Sequence, residues 1–209
     1  GHAITISDPI RIEEVTRSNG FKGYAVNGTP ADSVKIAVKS IMKEKPDIII
    51  SGINAGANVG QSLLYSGTIS AASEGTLLGI PSIAISLDAL RDMDFSTSKV
   101  VAKKIVNKVL EYGLPNETLL NVNIPKDTEG GIKGYQITHQ GAIYFKDDFE
   151  MREDPRGRIY YWMTGDVKDT DKELESDGVA IKEGYVSITP LQLQMTNFDF
   201  IEKLSEWSL

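Results

Sequence analysis

Hydrophobic spacing along the chain changes period several times, and each change marks an element. Ile4, Ile6, Ile10 and Ile12 alternate with polar residues, so Ala3 to Val15 reads as a strand interrupted by Pro9. Ser18-Asn19-Gly20 supplies a turn, and a short strand follows around Tyr24 to Val26. Thr29-Pro30-Ala31-Asp32 carries a helix start, with a capping hydroxyl, proline at the first helical position and an acid where a capping box needs one. Val34, Ala37, Val38, Ile41 and Met42 then share one helical face, which Pro46 stops. Asp47 to Ser51, with Ile48-Ile49-Ile50 unbroken, reads as a strand buried on both faces of a parallel sheet. After a glycine-rich loop, Ser66 to Leu78 is a helix of small residues and Ser82 to Ser86 a second buried strand. Ser96 to Tyr112 is a helix with Val100, Val101, Ile105, Val109 and Leu110 inward, ended by Gly113 and Pro115; Leu119 to Ile124 is another strand. Strand, helix, strand, helix, strand is the pattern of a Rossmann-like, doubly wound α/β fold with a mostly parallel sheet.

From Lys133 the texture changes. Tyr135 to Thr138 and Ala142 to Thr164 are strand-like, with a turn at Asp154-Pro155-Arg156-Gly157. The flanking aromatics, Tyr144-Phe145 and Tyr160-Tyr161-Trp162, make a long hairpin that must pack on the domain or on another subunit. Between Asp166 and Asp177 lie six acids and two lysines, read as a solvated loop because the glycine and ligand spacing of a calcium loop is missing. A strand from Gly184 to Thr189 and a helix from Asn197 to Trp207 complete the pattern. The division expected is an α/β core over 1–132, with 133–209 as a hairpin and C-terminal arm completing the same domain and the oligomer.

Composition narrows the function. Hydrophobic residues make up 41% and charged residues 24% of 209, an ordinary globular balance. No apolar run approaches the roughly 18 residues that cross a bilayer, and no signal peptide opens the sequence, so a cytoplasmic location is expected without membrane contact. Without cysteine there is no disulfide, thiolate ligand or thiol nucleophile. A net charge of −7 and the lack of a basic stripe argue against nucleic-acid polymers.

The chemistry concentrates in two loops. Ser51-Gly52-Ile53-Asn54-Ala55-Gly56-Ala57-Asn58-Val59-Gly60 follows a buried strand, where open α/β sheets bind ligands. Tyr65-Ser66-Gly67-Thr68-Ile69-Ser70-Ala71-Ala72 opens a helix, whose free N–H groups and hydroxyls suit an anion. Glu74 is the one formal charge from Ser51 to Gly75, so an anion there must be held by dipoles, hydroxyls or a metal. The four-residue recurrence of Gly52, Gly56 and Gly60 is not a dinucleotide fingerprint, and neither a P-loop nor a G-x-S-x-G elbow is present. Asp92 and Asp94 read as a solvated helix cap, and His2 and His139 as surface or hydrogen-bonding residues.

These segments resemble the SurE family, the stationary-phase survival proteins that act as 5′/3′-nucleotidases. The resemblance runs through Gly1-His2-Ala3-Ile4-Thr5, Gly28-Thr29-Pro30-Ala31-Asp32, both loops, Ser73-Glu74-Gly75, Tyr160-Tyr161-Trp162-Met163-Thr164-Gly165 and Glu183-Gly184-Tyr185-Val186-Ser187-Ile188-Thr189-Pro190. It implies metal-dependent hydrolysis of nucleoside monophosphates with Mg²⁺ or Mn²⁺. It also implies a homodimer or tetramer with an exchanged C-terminal arm. The family's metal is held by two adjacent aspartates, a serine and the asparagine of Ser-Gly-Ile-Asn; of these, the asparagine alone maps here, onto Asn54. Ser66, Gly67 and Thr68 map onto the phosphate-binding turn, with Asn58 near it. The family's opening strand, Asn-Asp-Asp-Gly motif, first helix and second strand have no counterpart after Gly1. The expectation is that this βαβ-sized segment, roughly 30 or more residues, lies outside the sequence in hand. The catalytic residues are therefore unassigned, and the alternative is a non-catalytic phosphate- or nucleotide-binding protein.

Overall fold

A computed structural model describes residues 1–126 and 131–207. Its central sheet has five strands: β3 (Ile49–Ala55), β4 (Ser82–Asp88), β5 (Thr118–Pro125), β6 (Gly134–Ile137) and β9 (Tyr185–Gln192). They lie in the order β3-β4-β5-β9-β6, and only the β5–β9 pairing is antiparallel. Two antiparallel hairpins stand apart from it: β1 (Arg11–Thr16) with β2 (Lys22–Asn27), and β7 (Tyr144–Glu153) with β8 (Ile159–Lys168). The fold is the α/β, mostly parallel architecture that the periodicity predicts.

Strand alternation divides the sheet into two unlike faces. Ile83, Ile85 and Leu87 of β4, Val122 and Ile124 of β5 and Val186 of β9 meet Val101, Ile105 and Val109 of α3 (Ser96–Tyr112). Each such side chain contributes about 1.5–3 kcal/mol on burial. The opposite face carries Ala84 and Leu119 against Leu63, Ile69 and Ala72, the last two from α2 (Gly67–Leu77). Towards the carboxyl ends of β4 and β5 this second face turns polar: Ser86, Asn121 and Asn123 are buried there, beside Ser187 and Thr189 of the antiparallel β9.

Helix α1 (Pro30–Ile36) starts with the expected capping box: Thr29 accepts from the Asp32 amide and Asp32 from the Thr29 amide. It leans on α2 through an ion pair from Lys35 to the buried Glu74, at 2.5 Å. A π turn over Ala37–Ile41 ends it. His2 reaches the same Glu74, 3.5 Å away.

Four readings of the sequence need correction. The first strand covers Arg11–Thr16 instead of Ala3 to Val15, because Pro9 cannot donate to a ladder and Thr5 bonds Asp32 instead. Among the described residues β3 has a strand neighbour on one side only and Ile50 is 46% exposed, so Ile48-Ile49-Ile50 is not covered on both faces by these residues. Val100 and Leu110 point outward, since the stripe facing β4 is only wide enough for Val101, Ile105 and Val109. The acidic stretch is not a wholly solvated loop, for it ends in α4 (Asp177–Lys182) with Asp177 fully buried.

Asp32 ties the N-terminal segment down by accepting from the Thr5 amide (3.0 Å), the Thr5 hydroxyl (2.6 Å) and the Thr29 amide (2.8 Å). The Thr5 hydroxyl bond leads in holding its pKa down at about 2. A depressed pKa in the folded state stabilises fully above the ordinary value of 3.8, and the contribution fades as pH falls through about 2. The urea midpoint of wild type should therefore exceed that of Asp32→Asn at pH 7, with the lead shrinking towards pH 2. A lead that is constant across that range would contradict the assignment.

Candidate functional site

At its midpoint β3 takes a conformation that needs glycine. Gly52 has φ +119°, and a Cβ there would collide with the Ile85 carbonyl of β4. The Gly52–Ile53 peptide is cis, and the β3–β4 register shifts between Ser51 and Asn54. Asn54 is partly buried; its Nδ2 donates to the Gly56 carbonyl at 2.8 Å, and its Oδ1 accepts nothing among the described residues.

Asn58 is buried, and its groups are spent on anchoring the loop. Its amide N–H donates to Asn123 Oδ1 (2.8 Å), and its carbonyl accepts from Asn121 Nδ2 (2.9 Å) and Asn123 Nδ2 (3.0 Å). Its own Nδ2 donates to Ser86 Oγ at 2.7 Å. Sequence reasoning missed Asn121 and Asn123 as partners of the loop. The signal was available, since two asparagines alternate with aliphatics inside a strand that is otherwise a buried run.

The chain then forms a 3-10 helix, Gly60–Tyr65, whose end cap, Ser66, is also the N-cap of α2. Ser66 Oγ accepts from the Ile69 amide (3.1 Å), and its carbonyl accepts from the Ser70 amide (3.1 Å). That leaves the Gly67 and Thr68 N–H groups with no partner among the described residues, both partly exposed. The helix runs eleven residues behind them, so its dipole adds positive potential at this point. Asn54, Asn58, Ser66, Gly67 and Thr68 thus lie on one continuous stretch from the end of β3 to the start of α2. Tyr65 in that stretch is 78% exposed.

The same stretch is gripped from the far end of the chain. Asp177 Oδ2 accepts from the Gly60 amide, and its Oδ1 from the Gly141 and Gly178 amides. Burial pushes the Asp177 carboxyl above its usual range, while these N–H bonds and the nearby His139 pull it back. A second concave region, a cleft of about 320 Å³, is lined by Lys126, Lys133, Lys182, Asp88 and Glu183. Its lysines are engaged: Lys182 with Asp169, Lys133 with Glu183 at 3.9 Å, and Lys126 with the Arg91 carbonyl at 3.5 Å. The α2 N-terminus instead offers amide donors that are fixed in direction and have no partner among the described residues.

For a divalent cation, Asn54 Oδ1 is a hard neutral oxygen of the kind that Mg²⁺ or Mn²⁺ accepts. Among the described residues no group of three or more His, Cys, Asp or Glu is placed to hold a metal, so Asn54 fits as one ligand of a set that these residues do not complete.

Comparison with known proteins places this geometry in a family. The model of "Survival protein SurE" matches residues 1–147. The 5′-nucleotidase SurE of Caldanaerobacter subterraneus subsp. tengcongensis is 46% identical over 208 residues, spanning 100% of this chain and 81% of the relative. The 5′-nucleotidase SurE of Syntrophobacter fumaroxidans is 42% identical over 209 residues, 100% of this chain and 84% of its own. The crystal structure of the SurE protein from Aquifex aeolicus superposes with a TM-score of 0.83 at 39% identity, covering 98% of this chain and 82% of that one.

The close approach at Gly52 makes a stability prediction. Gly52→Ala should cost about 1–3 kcal/mol through overpacking against the β4 backbone, a fall in Tm of ~2–4 °C per kcal/mol for a chain of this size. Gly20→Ala, where a Cβ meets nothing within 4 Å, is the control for positive φ alone. Equal melting temperatures for the two variants would show that the Ile85 contact is not the constraint.

Proposed function

The chain belongs to the SurE survival-protein family, and on that premise we propose that it is a nucleotidase whose substrate phosphate sits on the N-terminus of α2. The reaction is hydrolysis of a nucleoside monophosphate: water oxygen attacks phosphorus, the P–O bond to the nucleoside breaks, and the departing oxygen takes a proton. The observation that carries the phosphate placement is the pair of amides at Gly67 and Thr68 that have no partner among the described residues, in a stretch from Ser51 to Gly75 that has no lysine or arginine.

The chain's own residues have distinct parts in this reading. The Gly67 and Thr68 N–H groups hold non-bridging phosphoryl oxygens and meet the charge that grows on them in the transition state. The Thr68 and Ser66 hydroxyls supply further donors, with Ser66 fixed by its bond to Ile69. Asn58 keeps the preceding loop on the sheet. A bound Mg²⁺ or Mn²⁺ would polarise the phosphoryl oxygens and acidify a water, with Asn54 Oδ1 as this stretch's ligand to it.

We assign the protein to the cytoplasm as a homo-oligomer, a dimer or tetramer, that exchanges its C-terminal arm. Among the described residues no helix is long and apolar enough to cross a membrane. The β7–β8 hairpin exposes Phe149, Tyr161 and Trp162 by 61%, 61% and 56%, and such a hairpin is marginal alone in water. Helix α5 (Phe198–Ser205) likewise exposes Phe198, Phe200 and Ile201.

Phosphate release from nucleoside 5′-monophosphates by the full-length protein, with and without Mn²⁺, tests the activity. Asn54→Ala should lower kcat by at least ~10-fold and raise the Mn²⁺ concentration needed for half-activity, with far-ultraviolet circular dichroism unchanged. Wild-type turnover and metal response in that variant would refute the role given to Asn54.

A further inference from the structure

The grip of Asp177 on Gly60 reaches further than local packing. Asp177 is 0% exposed, forms no ion pair among the described residues, and stands 117 residues along the chain from the Gly60 it holds. A buried carboxylate without a paired cation is expensive, so its hydrogen bonds must be well made to persist. They are: Oδ2 accepts the Gly60 amide at 3.0 Å, while Oδ1 accepts Gly141 at 3.0 Å and Gly178 at 2.8 Å.

Gly60 is also held on its other side. Its carbonyl accepts from Gln140 Nε2 at 2.8 Å, and the next amide, Gln61, donates to the Ile143 carbonyl at 2.8 Å. A Cβ on Gly60 would run into that same Ile143 carbonyl, so residues 140–143 wrap directly around the glycine. Asp177 secures both halves of this clasp, because one of its oxygens takes Gly60 and the other takes Gly141, the residue after Gln140.

Nothing slack separates the clasp from the phosphate-binding turn. Gly60 is the first residue of the 3-10 helix, Ser66 is its end cap, and the Ser66 amide closes it by donating to the Leu63 carbonyl at 3.3 Å. A rotation of Gly60 is therefore carried through one short helix to the residue that caps α2.

We infer that Asp177 is a positioning residue that, with Gln140, sets the orientation of Ser66, Gly67 and Thr68 through Gly60. This rests on the reading that the α2 N-terminus binds phosphate. Asp177 touches neither substrate nor metal in this arrangement; it fixes the direction of donors that do.

The test uses the full-length protein and three variants: Asp177→Asn, Gln140→Ala and, as a structural control, Val186→Ala. Val186 is fully buried in the α3-side core and bonds to no member of the clasp. For each, the dissociation constant of inorganic phosphate is measured by calorimetry, the KM for a nucleoside 5′-monophosphate by phosphate release, and Tm by calorimetric scan. Asp177→Asn should raise both the phosphate constant and KM on the order of tenfold, the scale that misplaced binding groups produce. Gln140→Ala should raise both by roughly threefold, as expected for loss of one hydrogen bond of about 0.65 kcal/mol. Val186→Ala should lower Tm while leaving both constants within about twofold of wild type. Should Asp177→Asn not fold, Gln140→Ala carries the test alone. Unchanged phosphate affinity and KM in the folded clasp variants overturn the inference and leave the phosphate site standing. Wild-type protein that binds no phosphate removes the site itself, and the inference with it.

Discussion

A loop that crosses a buried sheet face must find partners for its backbone, and the site depends on how Asn58 meets that demand. Buried amides and carbonyls are costly when unpaired. The Asn58 backbone has no strand beside it, so Asn121 and Asn123 act as a substitute for one, taking its N–H and giving two N–H donors to its carbonyl. This explains why the α2 face of the sheet becomes polar at the carboxyl ends of β4 and β5 while the α3 face stays aliphatic. It also explains how a loop with glycines at 52, 56 and 60 can be well defined, since glycine supplies the conformations and the asparagines restrict them.

With the loop fixed, an anion site can be built without cations. The net charge of −7 leaves the protein's long-range field unhelpful to a phosphate. What remains is short-range and directional: two amides without a partner among the described residues, two hydroxyls and the dipole of an eleven-residue helix. Donors of this kind need no reorganisation when charge moves onto the phosphoryl oxygens. Lysines are present elsewhere near the carboxyl end of the sheet, but their partners occupy them, and their flexible stems would cost entropy to order.

Elements whose burial follows a single period were legible in the sequence: α3 was read with its observed bounds, and the Thr29 capping box and the aromatic hairpin were found in place. The stretch from Asn54 to Thr68 stands out in the sequence because glycines and hydroxyls cluster there without charge. What escaped was set by distant contacts. Asp177 looks like one more acid in an acidic run, and only the fold shows that Gly60, Gly141 and Gly178 turn their amides towards it. Asn121 and Asn123 could have been read from their alternation, but their partner lies more than 60 residues away: 65 for the Asn58–Asn123 bonds and 63 for the Asn121 bond. Local pattern carries the elements, and non-local polar pairing carries the site.

The central claim is that phosphate is held by the free amides at the start of α2. The most direct test is a nitrogen-15 amide titration of the full-length protein with inorganic phosphate. The account predicts that the Gly67 and Thr68 resonances shift furthest and saturate with a single dissociation constant. Unmoved resonances at Gly67 and Thr68, with the largest shifts instead around Lys126, Lys133 and Lys182, would contradict it.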